Sequence, residues 1–215
     1  MAVLDPVKLV LANWDEVMGA GVLDDCSAPI HPHQPELGKR SFKIGKEVWI
    51  ERSDFEETPP KGFFRLFPGN KVRLKYGPVI ECTGCSKDPN GQITEVQATL
   101  IPDTKSGTLG SDAVKVKGVI TWVGVDDAVQ AEVRLYERLF VEAHPDAGGK
   151  GFIKKLNPNS LKVLKTFVEP SLATVKADDK FQFERHGYFV ADRVDHVAGK
   201  MLFNFSVGLK DVWGK

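Results

Sequence analysis

The sequence predicts an all-β protein, built as barrels or a sandwich, on three observations. Short segments alternate apolar and polar residues, or are rich in β-branched and aromatic ones. Gly/Pro clusters punctuate them at regular spacing, and helical periodicity is scarce.

The predicted strands run in order along the chain. KEVWIERSDF (46–55) places Val48, Ile50 and, after a break, Phe55 on one side. KVRLKYGPVIEC (71–82) sets Val72, Leu74 and Tyr76 against Lys71, Arg73 and Lys75. ITEVQATLIP (93–102), VKVKGVITWVG (114–124), QAEVRLYERLFVE (130–142), FQFERHGYFVAD (181–192) and MLFNFSVGLKDVW (201–213) follow the same logic. Turns are expected at Pro59-Pro60, Pro68-Gly69-Asn70, Pro89-Asn90-Gly91 and Asp146-Ala147-Gly148-Gly149. Asn90-Gly91 is a hairpin signal joining the strands beside it. One short helix is expected where Asn157-Pro158-Asn159-Ser160 precedes LKVLKTF, and Asp126-Asp127-Ala128 begins at most a single turn. Residues 26–41, with three prolines, read as an extended surface connection, and the polar, Gly/Ser-rich residues 103–113 as a mobile loop.

Composition narrows the function. Of 215 residues, 42% are hydrophobic and 27% charged, which suits one large globular domain or two small ones rather than disorder. Lys plus Arg balance Asp plus Glu at 29 each, so any nucleic-acid binding must come from a local patch. The N-terminal MAVLDPVKLVLANW fits neither a signal peptide nor a membrane span. Three cysteines do not make a disulfide framework, and an intracellular, reducing location is expected.

One segment stands out for chemistry. Between Thr58 and Ile80 there is no acidic residue, while Lys61, Arg65, Lys71, Arg73 and Lys75 are interleaved with Phe63, Phe64, Phe67 and Tyr76. Cations reach phosphates and base edges, and aromatic faces stack on unpaired bases. The competing reading is a solvated strand face over an aromatic core. Cys82 and Cys85 form a CxxC, whose remaining zinc donors would have to come from Cys26, His31 or His33; two cysteines at a strand end is the preferred reading. His144, His186 and His196 accompany no nucleophile motif, and no glycine-rich phosphate loop is present. Nothing in the sequence resembles an active site. In FQFER, Phe181 and Phe183 face the core and Gln182 points outward, where Gln and Arg can read a base edge or serve as ordinary surface residues.

The motifs MAVLDPVKLVL, HPxxPELGKR, VWIERSDF, RLFPGNKVRLKYGPVI, VKGVITWV, EVRLYERLF, NPNSL, VEPSL, FQFERHGYF and VGLKDVW occur in this order in the C-terminal half of glutaminyl-tRNA synthetases, which the whole chain resembles, bacterial forms above all. The resemblance implies two six-stranded β-barrels of a ribosomal-protein-like fold with exchanged elements and few short helices, here divided at about residues 1–112 and 113–215. It implies a cytoplasmic monomer that binds tRNA with a glutamine anticodon, and neither DNA nor membrane. ATP and Mg would serve a catalytic half whose HIGH and KMSKS-type signatures are absent from this sequence, so no cofactor or metal is expected within it. In the family pattern Gln182 and Arg185 match positions that help enclose the middle anticodon base. An arginine completing that pocket would precede the position matched by Met1. Arg65 matches a contact to the third base, a guanine, and its neighbour Phe64 replaces a lysine. Arg73 and Lys75 match two arginines near the first base, so Lys75 keeps the charge but loses the planar fork. Phe205 stands where many relatives have an arginine. The alternative expectation is a non-catalytic β-barrel interaction or structural protein that binds no tRNA.

Overall fold

The computed structural model describes residues 1–147 and 151–209, and the chain is all-β with two barrel-like sheets. Two compact units are present, one from Met1–Gln130 and Thr166–Thr174, the other from Ala131–Lys165 and Val175 onward. The return of Thr166–Thr174 to the first unit is the exchanged element.

In the first unit the strands are β1 (Ala2–Val3), β2 (Pro6–Leu11), β3 (Asp24–Pro29), β4 (Lys39–Ile44), β5 (Glu47–Glu51), β6 (Lys71–Leu74), β7 (Val79–Lys87), β8 (Ile93–Leu100), β9 (Gly118–Ile120) and β10 (Trp122–Gly124). The main sheet has the order β10-β5-β2-β8-β7-β6-β9. Its two edges are consecutive segments: β9 pairs with β6 in parallel, the chain passes through Thr121, and β10 pairs with β5 antiparallel. Residues 118–124 therefore join both edges, leaving no long open edge. Counted as one strand, they make this a six-stranded barrel. Alternation places Val7, Leu9, Leu11, Val48, Ile50, Val72, Leu74, Ile80, Val96 and Ala98 in its core with Trp14 and Trp122. Asn90-Gly91 closes the β7–β8 hairpin, with Gly91 at φ +83° and Asp88 accepting the Asn90 and Gln92 amides. Residues 26–41 correct one expectation, because their ends are strands. β3 and β4 pair antiparallel as a two-stranded ribbon, and only the stretch between them is a connection. The one α-helix among the described residues is the short α1 (Trp14–Val17), whose Trp14 donates its indole N–H to the Val22 carbonyl at 2.9 Å.

Further strands are β11 (Val129–Tyr136), β12 (Leu161–Val168), β13 (Lys180–Phe183), β14 (Gly187–Ala191) and β15 (Met201–Val207). The second unit carries β12, β11, β15, β14 and β13 in that order; β12 then runs on into the first unit, where Phe167 and Val168 pair with Val3 and Ala2. Phe183, Phe189 and Phe203 form its aromatic core, with Phe183 and Phe189 stacked at 4.4 Å. The helix expected at LKVLKTF is a strand instead. Asn157 uses its side chain to accept the Asn159 amide in a local turn rather than to cap a helix. Val163, Thr166 and Val168 are β-branched, and strand pairing decides their conformation. Of the strand expected over 201–213, residues Lys210–Trp213 lie outside the described residues, as do Gly148 and Gly149 of the predicted turn. No described helix is long and apolar enough to cross a membrane.

Candidate nucleic-acid interface

The basic-aromatic segment enters the first barrel through a 3-10 turn at Arg52–Asp54. Asp54 is fully buried, and its backbone carbonyl accepts the Leu66 amide at 2.9 Å. Leu66, also fully buried, anchors the segment from the other side. Pro68-Gly69-Asn70 then turns the chain into β6. Asn70 donates its amide to the Phe67 carbonyl at 2.9 Å, and Gly69 sits at φ +82°. Proline followed by a positive-φ glycine is what a type II turn requires.

Between these anchors lies Arg65. Its Nη1 is 3.2 Å from Asp54 Oδ1 and donates to the Ser53 carbonyl at 3.2 Å, while its side chain remains 42% exposed. A buried carboxylate thus orients a guanidinium on a side chain that stays partly open to solvent. Arg73 is placed differently. From β6 its Nη1 donates to the carbonyls of Gly77 (3.2 Å) and Thr104 (2.6 Å) and to Ser106 Oγ (3.5 Å), and its Nη2 donates to the Ser111 carbonyl. The segment 103–113, expected to be mobile, is tied to β6 by this side chain. It is held further by the Ser106 amide on the Gly77 carbonyl, by Lys105 on Asp24, and by buried Thr104, whose Oγ1 accepts the Val79 amide. Lys75 lies just past β6. Its amide donates to the Ile120 carbonyl and its own carbonyl accepts the Trp122 indole N–H, both at 2.9 Å. Its Nζ stands 5.3 Å from the ring centre of Tyr76, itself at φ +61°.

Lys71 faces Glu81 across the β6–β7 pair at 3.4 Å. Beside them opens a cleft of about 620 Å³, lined by Phe63, Phe64, Phe67, Lys71, Lys115 and Lys117 among others. Lys115 and Lys117 were not singled out from the sequence. The signal was their alternation in VKVKG, which puts two cations on one side of an extended segment.

Gln182 and Arg185 belong to the second unit. Gln182 is exposed on β13 opposite Tyr188, while Phe183 is buried, as the alternation predicts. Arg185 occupies the tip of the three-residue β13–β14 turn at φ +73°, where the His186 amide donates to the Phe183 carbonyl at 2.9 Å. That left-handed conformation is uncommon for a non-glycine residue. The structure thus brings Arg65, Arg73 and Lys75 into one barrel and Gln182 and Arg185 onto one hairpin of the other unit. Phe205 packs its ring on Phe189 at 5.4 Å, which accounts for an aromatic residue there.

Cys82 lies in the barrel core, where burial pushes its thiol up to about 11, and burial also raises the Cys85 thiol. Among the described residues no group of three or more His, Cys, Asp or Glu could hold a metal ion.

Two family models match the sequence, both described as anti-codon binding domains of class I tRNA synthetases (E and Q), over residues 1–101 and 119–192. Curated relatives named glutamine–tRNA ligase align along all of it: 65% identity for that of Ralstonia pickettii (strain 12J), covering 37% of that protein. The relative from Ralstonia nicotianae is 62% identical and the one from Cupriavidus taiwanensis 61%, each covered to 36%. The chain therefore spans little more than a third of the length of these relatives.

Proposed function

Because the chain belongs to the anticodon-binding domains of the class I glutamate- and glutamine-type tRNA synthetases, we propose that it reads the anticodon loop of the tRNA that its relatives charge with glutamine. The observation that carries this reading is Arg65. Its guanidinium is oriented by a fully buried carboxylate, half-exposed, and set in a segment of cations and aromatic rings. Such a fork can address guanine O6 and N7 together, which suits the third base of a glutamine anticodon. Lys75 would approach the first base with Arg73 beside it, whose fork is largely engaged by Gly77 and the 103–113 segment, and Gln182 and Arg185 would approach the middle one. The loop is unstacked and its bases are held apart. ATP and Mg2+ would act in a catalytic portion that these residues do not supply. The role of this chain is recognition, as a cytoplasmic monomer with RNA, rather than DNA or membrane, as its partner.

The test is a titration of the chain with tRNA bearing a glutamine anticodon, beside a tRNA whose third anticodon base is adenine. Arg65→Lys is the informative variant, because it keeps a charge beside buried Asp54 and removes only the fork. Guanine should be preferred by about 1–3 kcal/mol in the wild type, and the preference should shrink in Arg65→Lys. Equal affinity for both tRNAs would sink the assignment of Arg65.

A further inference from the structure

The cleft lined by Phe64, the residue before Arg65, carries chemistry that base reading by the five residues above does not use. Phe64 is 54% exposed, and Lys117 Nζ lies 5.3 Å from the centre of its ring. Lys115 and Lys117 are both exposed and line the same opening, together with Lys71 and Phe67. Glu81 is the one carboxylate among the lining residues, and it is engaged by Lys71. The platform is also built to hold its place. Gly118 lies so close beneath residue 64 that an added Cβ would stand 2.1 Å from the Phe64 carbonyl oxygen, so the loop rests directly on β9. An exposed aromatic ring with one lysine over a face of it and a second lysine lining the same cleft matches what single-stranded nucleic acid requires, a free opposite face for a base and cations for its phosphate. The volume, about 620 Å³, lies in the range of small-molecule sites.

We propose that the cleft of Phe64, Lys115 and Lys117 is a further subsite for one unpaired nucleotide, the base stacked on Phe64 and the phosphate held by the two lysines. The inference rests on the reading of this chain as an RNA-binding module, and extends it from base identity to sequence-independent capture. An acidic peptide would be attracted by the same lysines but would have no use for the exposed ring, which is why RNA is favoured here.

The experiment uses the full chain and single-stranded heptaribonucleotides of anticodon-loop sequence, with 2-aminopurine placed at each position in turn. Binding should quench the fluorescence at one position, Phe64→Tyr should keep the quench, and Phe64→Ala should abolish it with at least about a 5-fold loss of affinity. Lys115→Ala with Lys117→Ala should weaken binding whatever the sequence, and make the salt dependence shallower by about 0.7 for each phosphate no longer neutralised. Absence of any quench in the wild type overturns the subsite, as does equal quench in Phe64→Ala. Displacement of the RNA by polyglutamate with the same efficiency from wild type and Phe64→Ala also overturns it. Quenching that depends on Phe64 but is joined by no guanine preference at Arg65 upholds the subsite and removes the anticodon assignment. Guanine preference with unchanged affinity in Phe64→Ala does the reverse.

Discussion

Arg65 and Arg73 carry the same side chain in the same basic segment, and the fold uses them in opposite ways. Arg73 turns its guanidinium onto the backbone, donating to the carbonyls of Gly77, Thr104 and Ser111. Arg65 meets one carbonyl and one carboxylate through Nη1, and its side chain stays partly exposed. A stripe of cations tells where positive charge will stand; it does not tell how many of each side chain's donors are already engaged. The difference comes from what lies opposite. Beside Arg73 runs an irregular segment, 103–113, whose carbonyls need donors, whereas beside Arg65 a single buried carboxylate needs a counter-charge.

The sharpest way to break this comparison is Arg73→Ala. It should cost the first unit about 3 kcal/mol, since several hydrogen bonds from a charged group to backbone carbonyls vanish together. Urea denaturation reads the loss, and trypsin should cut faster at Lys105 in the loosened segment, which Asp24 and the Thr104 and Ser106 bonds still hold in part. Arg73→Lys should recover less than half, because an ammonium cannot span carbonyls that a planar fork reaches at once. If alanine leaves stability within about 0.5 kcal/mol and lowers only RNA affinity, the two arginines are alike after all.

Gly118→Ala comes next in size and tests the Arg65 side. The new methyl would meet the Phe64 carbonyl oxygen at 2.1 Å and Val72 Cγ1 at 3.0 Å, and backbone atoms cannot swing away as a flexible side chain can. The expected cost is about 2 kcal/mol, as for other overpacked sites, with RNA binding weakened because the segment carrying Phe64 and Arg65 has shifted. A variant with a wild-type thermal midpoint and unchanged binding would show that this segment is not held by β9.

Much of the architecture was legible because strand burial is a period-two property. KVRL, ITEVQATL and FQF place their buried side chains where the pattern put them. The β12 strand was not, since Asn-Pro-Asn-Ser before an apolar run is also how a helix begins, and only pairing with other strands selects extended backbone there. Nor could local pattern show that 118–124 closes a barrel, because its two partners, β6 and β5, are distant in sequence. At the candidate site the sequence located the basic-aromatic segment, whereas Lys115 and Lys117 join it only through the parallel pairing of β9 with β6. The engagement of Arg73 was hidden for a related reason: Thr104 and Ser111 are loop residues whose distance from β6 no periodicity reports.

Lys75→Arg is the finest probe of the comparison, because it restores a fork at the end of the stripe without touching the Arg73 contacts. The backbone of Lys75 is fixed by Ile120 and Trp122, so a substituted side chain starts from the same place. A guanidinium there can lie flat against Tyr76, where the ammonium now stands 5.3 Å from the ring centre, and still present donors outward. Stability should change by less than about 0.5 kcal/mol. Discrimination between C and U at the first anticodon base should rise by no more than about 1 kcal/mol, the low end for a forked contact, measured by paired titrations of the two tRNAs. A gain would place the first base against Lys75 and leave Arg73 as its scaffold. With no gain, the β6 end falls out of the reading surface and recognition in this barrel contracts to Arg65 and its neighbours, because Arg73 has already committed most of its fork to the fold.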